Sequence, residues 1–163
     1  ASNYLLANDL AKRILIVDLD VHQGNGSAQI FKNTPEVFTF SMHGEKNYPL
    51  RKEQSDLDIG LPDGTTDDYY LNQLHDTLPK LIDLHQPDFI FYLSGVDVLE
   101  SDKLGRLSLT IQGTKARDRF VLQLCKKNQL PVAISMGGGY ARRIADIVEA
   151  HANTFRVAQE VYF

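Results

Sequence analysis

The sequence predicts an α/β fold built on a parallel sheet with helices on both faces, and three observations lead there. Four short runs rich in β-branched and aromatic residues, at 13–18, 37–41, 88–94 and 131–136, are apolar almost throughout. Runs without polar alternation suit strands covered on both faces, as in parallel sheets, although periodicity alone does not separate short ones from buried helix. Between and after them, apolar residues recur at three- and four-residue intervals, the spacing of one helix face. Turn chemistry punctuates the elements at Leu61-Pro-Asp-Gly64 and Gly137-Gly-Gly139. Strand therefore alternates with helix, the order that βα units produce.

The elements follow in order. Residues 4–12 read as the later half of a helix with no capping residue ahead of it, which suggests a chain cut from a longer one. The run Arg13-Ile-Leu-Ile-Val-Asp18 is the first strand, and Val37-Phe-Thr-Phe-Ser41 the second. A helix over 67–85 sets Tyr70, Leu71, Leu74, Leu78, Leu81 and Ile82 on one face. The strand at 88–94, a helix at 112–127, the strand at 131–136 and a helix at 141–155 complete the pattern. With no repeat, low-complexity tract or linker, residues 1–163 are read as a single domain.

Composition narrows the function. Lys plus Arg number 17 against 21 Asp plus Glu, a net charge of −4, which lacks the basic footprint of a nucleic-acid binder. No apolar run approaches the roughly 18 residues that span a bilayer, and the first residues lack a basic start and a cleavage site. No membrane partner is expected, and the compartment is read as cytoplasmic, with the nucleus open in a eukaryotic cell. Cys125 falls on the apolar stripe of Phe120-Val-Leu-Gln-Leu-Cys125, a buried helix position.

In an open parallel sheet, ligands sit beyond the carboxyl ends of the strands. All four strands run into unusual segments there: Asp18-Leu-Asp-Val-His22, Ser41-Met-His43, Ser94-Gly-Val-Asp97 and Gly137-Gly-Gly-Tyr140. Residues two apart in extended chain point the same way, so Asp20 and His22 can face one point. Either they cap and meet solvent, or they hold a metal with Asp97 as third ligand. Two carboxylates and one imidazole with an open position suit hydrolytic zinc, or iron(II) in a reducing cell. Gly137-Gly-Gly-Tyr140 is either a flexible turn before a core tyrosine or a device that brings the Tyr140 hydroxyl to an oxyanion. His43 reads as a structural histidine, and His75, His85 and His151 as surface residues.

Together these blocks resemble the histone deacetylase family. Asp18-Leu-Asp-Val-His-Gln-Gly-Asn-Gly26, then Ser94-Gly-Val-Asp97 with Ser101-Asp-Lys-Leu-Gly105 and Leu107-Ser-Leu-Thr110, then Met136-Gly-Gly-Gly-Tyr140 match its signature blocks in order and spacing. The wording is most similar to class IV members and bacterial relatives. The resemblance implies the three-layer α/β/α arginase–deacetylase fold, here its C-terminal portion and incomplete at the N-terminal side. It implies zinc on Asp20, His22 and Asp97, and Tyr140 as the electrophilic residue. Asp18 resembles the carboxylate that orients an active-site histidine, and Asn25 stands where some members place an aspartate behind the second histidine. A structural potassium ion would be held by Asp18, Ser41 and main-chain oxygens of Asp20, His22 and Met42. Tyr48, Gly138 and Gly139 would line the acyl tunnel. The implied substrates are an acylated lysine in a protein or peptide, or a small acylated amine. A two-metal site of the arginase kind would want a carboxylate where the chain has Leu99.

One departure matters. The family's general base is a pair of adjacent histidines upstream of the Asp-x-Asp-x-His block, and the first histidine in this chain is already His22. The chain by itself is therefore expected to be nearly inactive. The alternative is a non-catalytic metal-binding module, or half of an assembly, prone to self-association through an uncovered sheet edge.

Overall fold

The computed structural model describes residues 1–163. Its elements run α1 (Ser2–Ala7), β1 (Ile14–Asp18), α2 (Asn25–Phe31), β2 (Val37–Gly44), β3 (Leu57–Leu61), α3 (Asp67–His85), β4 (Phe89–Gly95), α4 (Ile111–Lys127), β5 (Val132–Gly137) and α5 (Ile144–Tyr162). The five strands form one sheet in the order β3-β2-β1-β4-β5, every pairing parallel. All strand carboxyl ends therefore meet at one edge.

The sheet separates two apolar layers, giving α/β/α. On one face Leu15, Val17, Phe40, Ile90 and Tyr92 join Leu74 and Leu78 of α3, Val121 and Cys125 of α4 and Val157 of α5 in the main core. Alternate residues of the same strands, Ile14, Ile16, Val37, Phe89 and Phe91, face the other way, toward Leu5, Leu6 and Phe31 of the short helices α1 and α2. The first two strands are buried almost throughout, as lack of alternation requires. The side chain of Thr110 caps α4 by accepting the Gly113 N–H at 2.9 Å.

Five points of the sequence reading need correction. The opening helix ends at Ala7 rather than Lys12, with Asp9 at φ 53° in the turn that follows. The second strand runs on to Gly44, so Met42 and His43 lie inside it, paired with β3. The strand β3 itself, Leu-Asp-Ile-Gly-Leu, went unread because its polar residues suit an edge that pairs with β2 alone. The run at 131–136 is not covered on both faces: β5 is the opposite edge, its residues half-buried or exposed. The last helix starts three residues late, at Ile144, because the glycine turn and Tyr140 occupy the space before it, and it continues to Tyr162.

Candidate metal centre

The three residues read as ligands converge at the carboxyl edge. After β1 ends at Asp18, Asp20 closes a turn in which its Oδ1 accepts the His22 main-chain N–H at 2.9 Å and lies 3.0 Å from the ring Nδ1. The shared direction of Asp20 and His22 thus comes from a local Asx turn, not from the pleat of a strand. Asp97 arrives from the loop after β4. Its Oδ1 accepts the Val21 N–H at 3.0 Å, and its Oδ2 lies 3.2 Å from His22 Nδ1. One ligand atom from each of Asp20, His22 and Asp97 falls within 4.8 Å of the others.

Electrostatics follow from this crowding. Burial pushes the Asp97 carboxyl above its ordinary value despite the His22 ring. At Asp20 burial acts the same way, but hydrogen bonds from the His22 ring and main chain outweigh it and hold the carboxyl low. The His22 imidazole, hydrogen-bonded to Asp20 and close to the Asp97 carboxylate, is pushed up to about 10. Asp97 is fully buried, while the side chains of His22 and Asp20 keep 25% and 19% exposure, so the cluster opens to solvent on their side.

The donor set fits a metal ion. Asp97 Oδ2 is buried and meets no donor in hydrogen-bond geometry, an arrangement that costs free energy unless a cation answers it. Two carboxylates and an imidazole nitrogen are ligands that zinc accepts. Leu99, buried beside Val96 and Ala150, offers no donor for a second ion.

Glycine makes the approach possible at two positions. A methyl group on Gly95 would overlap the main chain of Asp20, and one on Gly138, at φ 61°, would overlap the Asp97 carboxylate. Gly139 follows, packed on Ile147 and Val96. Tyr140 is 45% exposed, and its main-chain N–H donates to Asp102 Oδ2 at 2.6 Å. Asp102 Oδ1 also accepts the Leu104 and Gly105 N–H groups, each at 2.8 Å, so this carboxylate ties the Asp97 loop to the tyrosine turn. Its role was missed; an aspartate followed by Gly105 in a polar loop is the signal that points to it.

Asp18 and Ser41 are register partners at the ends of β1 and β2. Asp18 Oδ1 accepts the Asp20 N–H at 3.1 Å, and burial, with the nearby Asp20 and Asp97 charges, pushes its carboxyl up to about 7. Ser41 Oγ accepts the Gly24 N–H at 3.1 Å and lies 3.0 Å from His43 Nδ1, while the Met42 side chain is buried in the main core. His43 is buried and held below its ordinary pKa by desolvation, in keeping with a structural role. Asn25 begins α2, half-buried, with no hydrogen bond from its side chain to His22. Tyr48, 72% exposed in the loop after β2, is not brought to the cluster by any hydrogen bond. Two histidines read as surface residues are half-buried instead: His85 Nε2 lies 3.2 Å from the Ile14 carbonyl oxygen, and His151 Nδ1 is buried without a partner.

The histone deacetylase domain model matches residues 1–155. An uncharacterised protein of Picosynechococcus sp. is 49% identical over 162 residues, which are 99% of this chain and 54% of that protein. Histone deacetylase 2 of Arabidopsis thaliana is 33% identical over 144 residues, 84% of this chain and 37% of that protein. The chain thus spans about half, or less, of these relatives' length. Among solved structures, the HD domain of HDA15 superposes with a TM-score of 0.80 at 23% identity, covering 99% of this chain and 48% of that one. An acetylpolyamine aminohydrolase from Burkholderia pseudomallei gives 0.78 at 24%, covering 94% and 47%. The fold is theirs, and the chain belongs to the histone deacetylase family.

Proposed function

We propose that this chain is the metal-binding part of a zinc-dependent amide hydrolase that removes acyl groups from lysine side chains or small amines. The observation that carries the reading is the convergence of Asp20, His22 and Asp97 with one buried carboxylate oxygen unpartnered. When bound, the ion supplies Lewis-acid polarisation of the amide carbonyl and acidification of water. Asp20 and His22 present their donors from one turn, and Asp97 reaches them across the gap between β1 and β4. The Tyr140 hydroxyl, on the turn that Asp102 secures, donates to the developing oxyanion. Asp18 and Ser41, with main-chain oxygens of Asp20, His22 and Met42, form the potassium-like site, where a cation would keep the buried Asp18 ionised. Asn25 polarises a histidine supplied from outside this chain, and Tyr48, Gly138 and Gly139 wall the acyl tunnel. The protein works in the cytoplasm, or in the nucleus of a eukaryotic cell.

The family supports the proposed substrate class. Proteins named histone deacetylases act as the model for acyl-lysine, and the acetylpolyamine aminohydrolase, alike in fold, for a small acylated amine. No histidine pair occurs in the sequence, so turnover by the 163-residue chain alone should fall ~10²–10⁴-fold below a form that has a general base. The test is metal analysis with amide hydrolysis in the natural-length protein. Asp20→Ala and Asp97→Ala should each lose zinc and activity together, and Tyr140→Phe should keep zinc while kcat drops ~10²–10³-fold. Unchanged zinc content in Asp97→Ala would sink the proposal.

A further inference from the structure

Behind the ligand cluster lies a buried polar network with no part in the chemistry above. Arg117 and Asp118, consecutive residues of α4, are 0% and 1% exposed. The Arg117 Nη1 group donates to the main-chain oxygens of Leu19, at 3.2 Å, and Gly95, at 2.7 Å. Its Nη2 donates to Ser94 Oγ at 3.1 Å, and its Nε to Asp118 Oδ1 at 2.9 Å. Asp118 also accepts from Tyr92 of β4 at 2.5 Å and from Thr154 of α5 at 2.6 Å. Burial works against the charge on Arg117, but Tyr92, Asp118 and Tyr70 outweigh it and hold the guanidinium protonated.

A buried ion pair contributes little net stability compared with apolar side chains of the same volume. The two carbonyls that Arg117 binds indicate what else it does. The last main-chain bond between β1 and β4 runs from Leu19 N–H to the Leu93 oxygen at 3.1 Å. By the spacing of a parallel ladder the next would run from Val21 N–H to the Gly95 oxygen. Val21 donates to the Asp97 carboxylate instead, and Arg117 takes the Gly95 and Leu19 oxygens. The guanidinium therefore replaces the ladder where the strands part to make room for a site. Leu19 precedes Asp20 in the chain, and Gly95 stands two residues before Asp97.

We propose that Arg117 is a positioning residue for the metal centre: its planar fork bridges the ends of β1 and β4 and sets the distance between the Asp20–His22 turn and Asp97. Asp118 orients the fork through Tyr92 and Thr154. A lysine cannot substitute, because a point charge on a flexible stem does not present paired donors at fixed angles. This inference rests on the metal-site reading.

The test uses the natural-length protein with two variants, Arg117→Lys and the double change Arg117→Met with Asp118→Leu. The double variant removes the ion pair as a unit, a replacement that buried pairs often tolerate. Both should bind zinc ~10–100-fold more weakly in competition with a chelator, and both should alter the visible absorption of the cobalt(II)-loaded site. A folded variant with wild-type zinc affinity and an unchanged cobalt spectrum overturns the proposal. Should neither variant fold, the wild-type protein decides: the Arg117 Nε–H resonance should move when zinc is added, and its failure to move overturns the proposal. Asp97→Ala separates the two levels. Zinc binding that survives Asp97→Ala removes the metal site itself, whereas loss there with intact Arg117 variants removes only the positioning role.

Discussion

At the scale of the residue, the centre depends on how closely main chain approaches carboxylate. Gly138 combines a left-handed backbone with no room for a side chain beside the Asp97 carboxylate, so Gly138→Ala meets strain and a clash together. The expected cost is ~1–3 kcal/mol, read as a Tm lowered by roughly 2–4 °C per kcal/mol for a chain of this size, with weaker zinc binding alongside. An unchanged Tm and zinc affinity would mean that the turn simply moves aside. The convergence of Asp20, His22 and Asp97 was foreshadowed in the sequence, where an aspartate and a histidine two apart at the end of an apolar run suit either capping groups or metal donors. The turn that aims them was not, since Asp20 acts through a main-chain hydrogen bond that spacing does not reveal. Arg117 stayed hidden for a different reason. A charged pair within a helix reads as a solvated face, although Thr114, Arg117, Val121, Leu122 and Cys125 fall on one helical stripe and all are buried.

At the scale of the element, helix periodicity and unbroken apolar runs located α3, α4, β1 and β4, while the edge strand β3 escaped notice and the other edge, β5, was read as covered on both faces. The strand β3 carries Asp58 and Gly60 between Leu57, Ile59 and Leu61, which pack on the main core, and it pairs in register with β2. The end of α3 is fastened to β1 by His85, whose ring packs tilted against Phe38, centroids 5.4 Å apart, and reaches the Ile14 oxygen. Burial lowers the His85 pKa, with the Arg13 charge adding to the effect against the Ile14 bond. The sign follows directly. Between the folded pKa and 6.5, the value of the unfolded chain, the unfolded state binds more protons, so stability rises with pH. This contribution is complete above 6.5 and is lost as pH falls through the folded value. Thermal unfolding from pH 7.5 to 5 should therefore show a steeper acid-side loss in the wild type than in His85→Gln, and parallel curves would refute the assignment.

At the scale of the whole molecule, one side is less finished than the other. The strand β5 is an edge, Met136 and Tyr140 are exposed near its end, and Ile144, Val148 and Phe155 share one exposed face of α5. The Picosynechococcus relative carries nearly as much chain again outside the matched part. The 163-residue chain studied alone should self-associate, seen as a sedimentation coefficient that rises with concentration, and Ile144→Glu with Phe155→Glu should restore the monomer. A monomer at every concentration would show that the face is tolerated in water. The same chain should hold zinc ~10–100-fold more weakly in chelator competition than a form of the relatives' length, in which further residues can support the ligands.

The hydrogen bond from Val21 to Asp97 joins residues 76 apart in the chain. In kinetic terms this makes the centre a late structure: closing so long a loop costs entropy that only the finished sheet between β1 and β4 can offset. Local helices and the neighbouring β1–β2 pair can form before any ligand meets another. During refolding under pulsed deuterium labelling, the Val21 amide should gain protection after the amides of α3, and early protection would reverse that order. The Asp20–His22 turn and Asp97 would then meet only once β1 and β4 are joined.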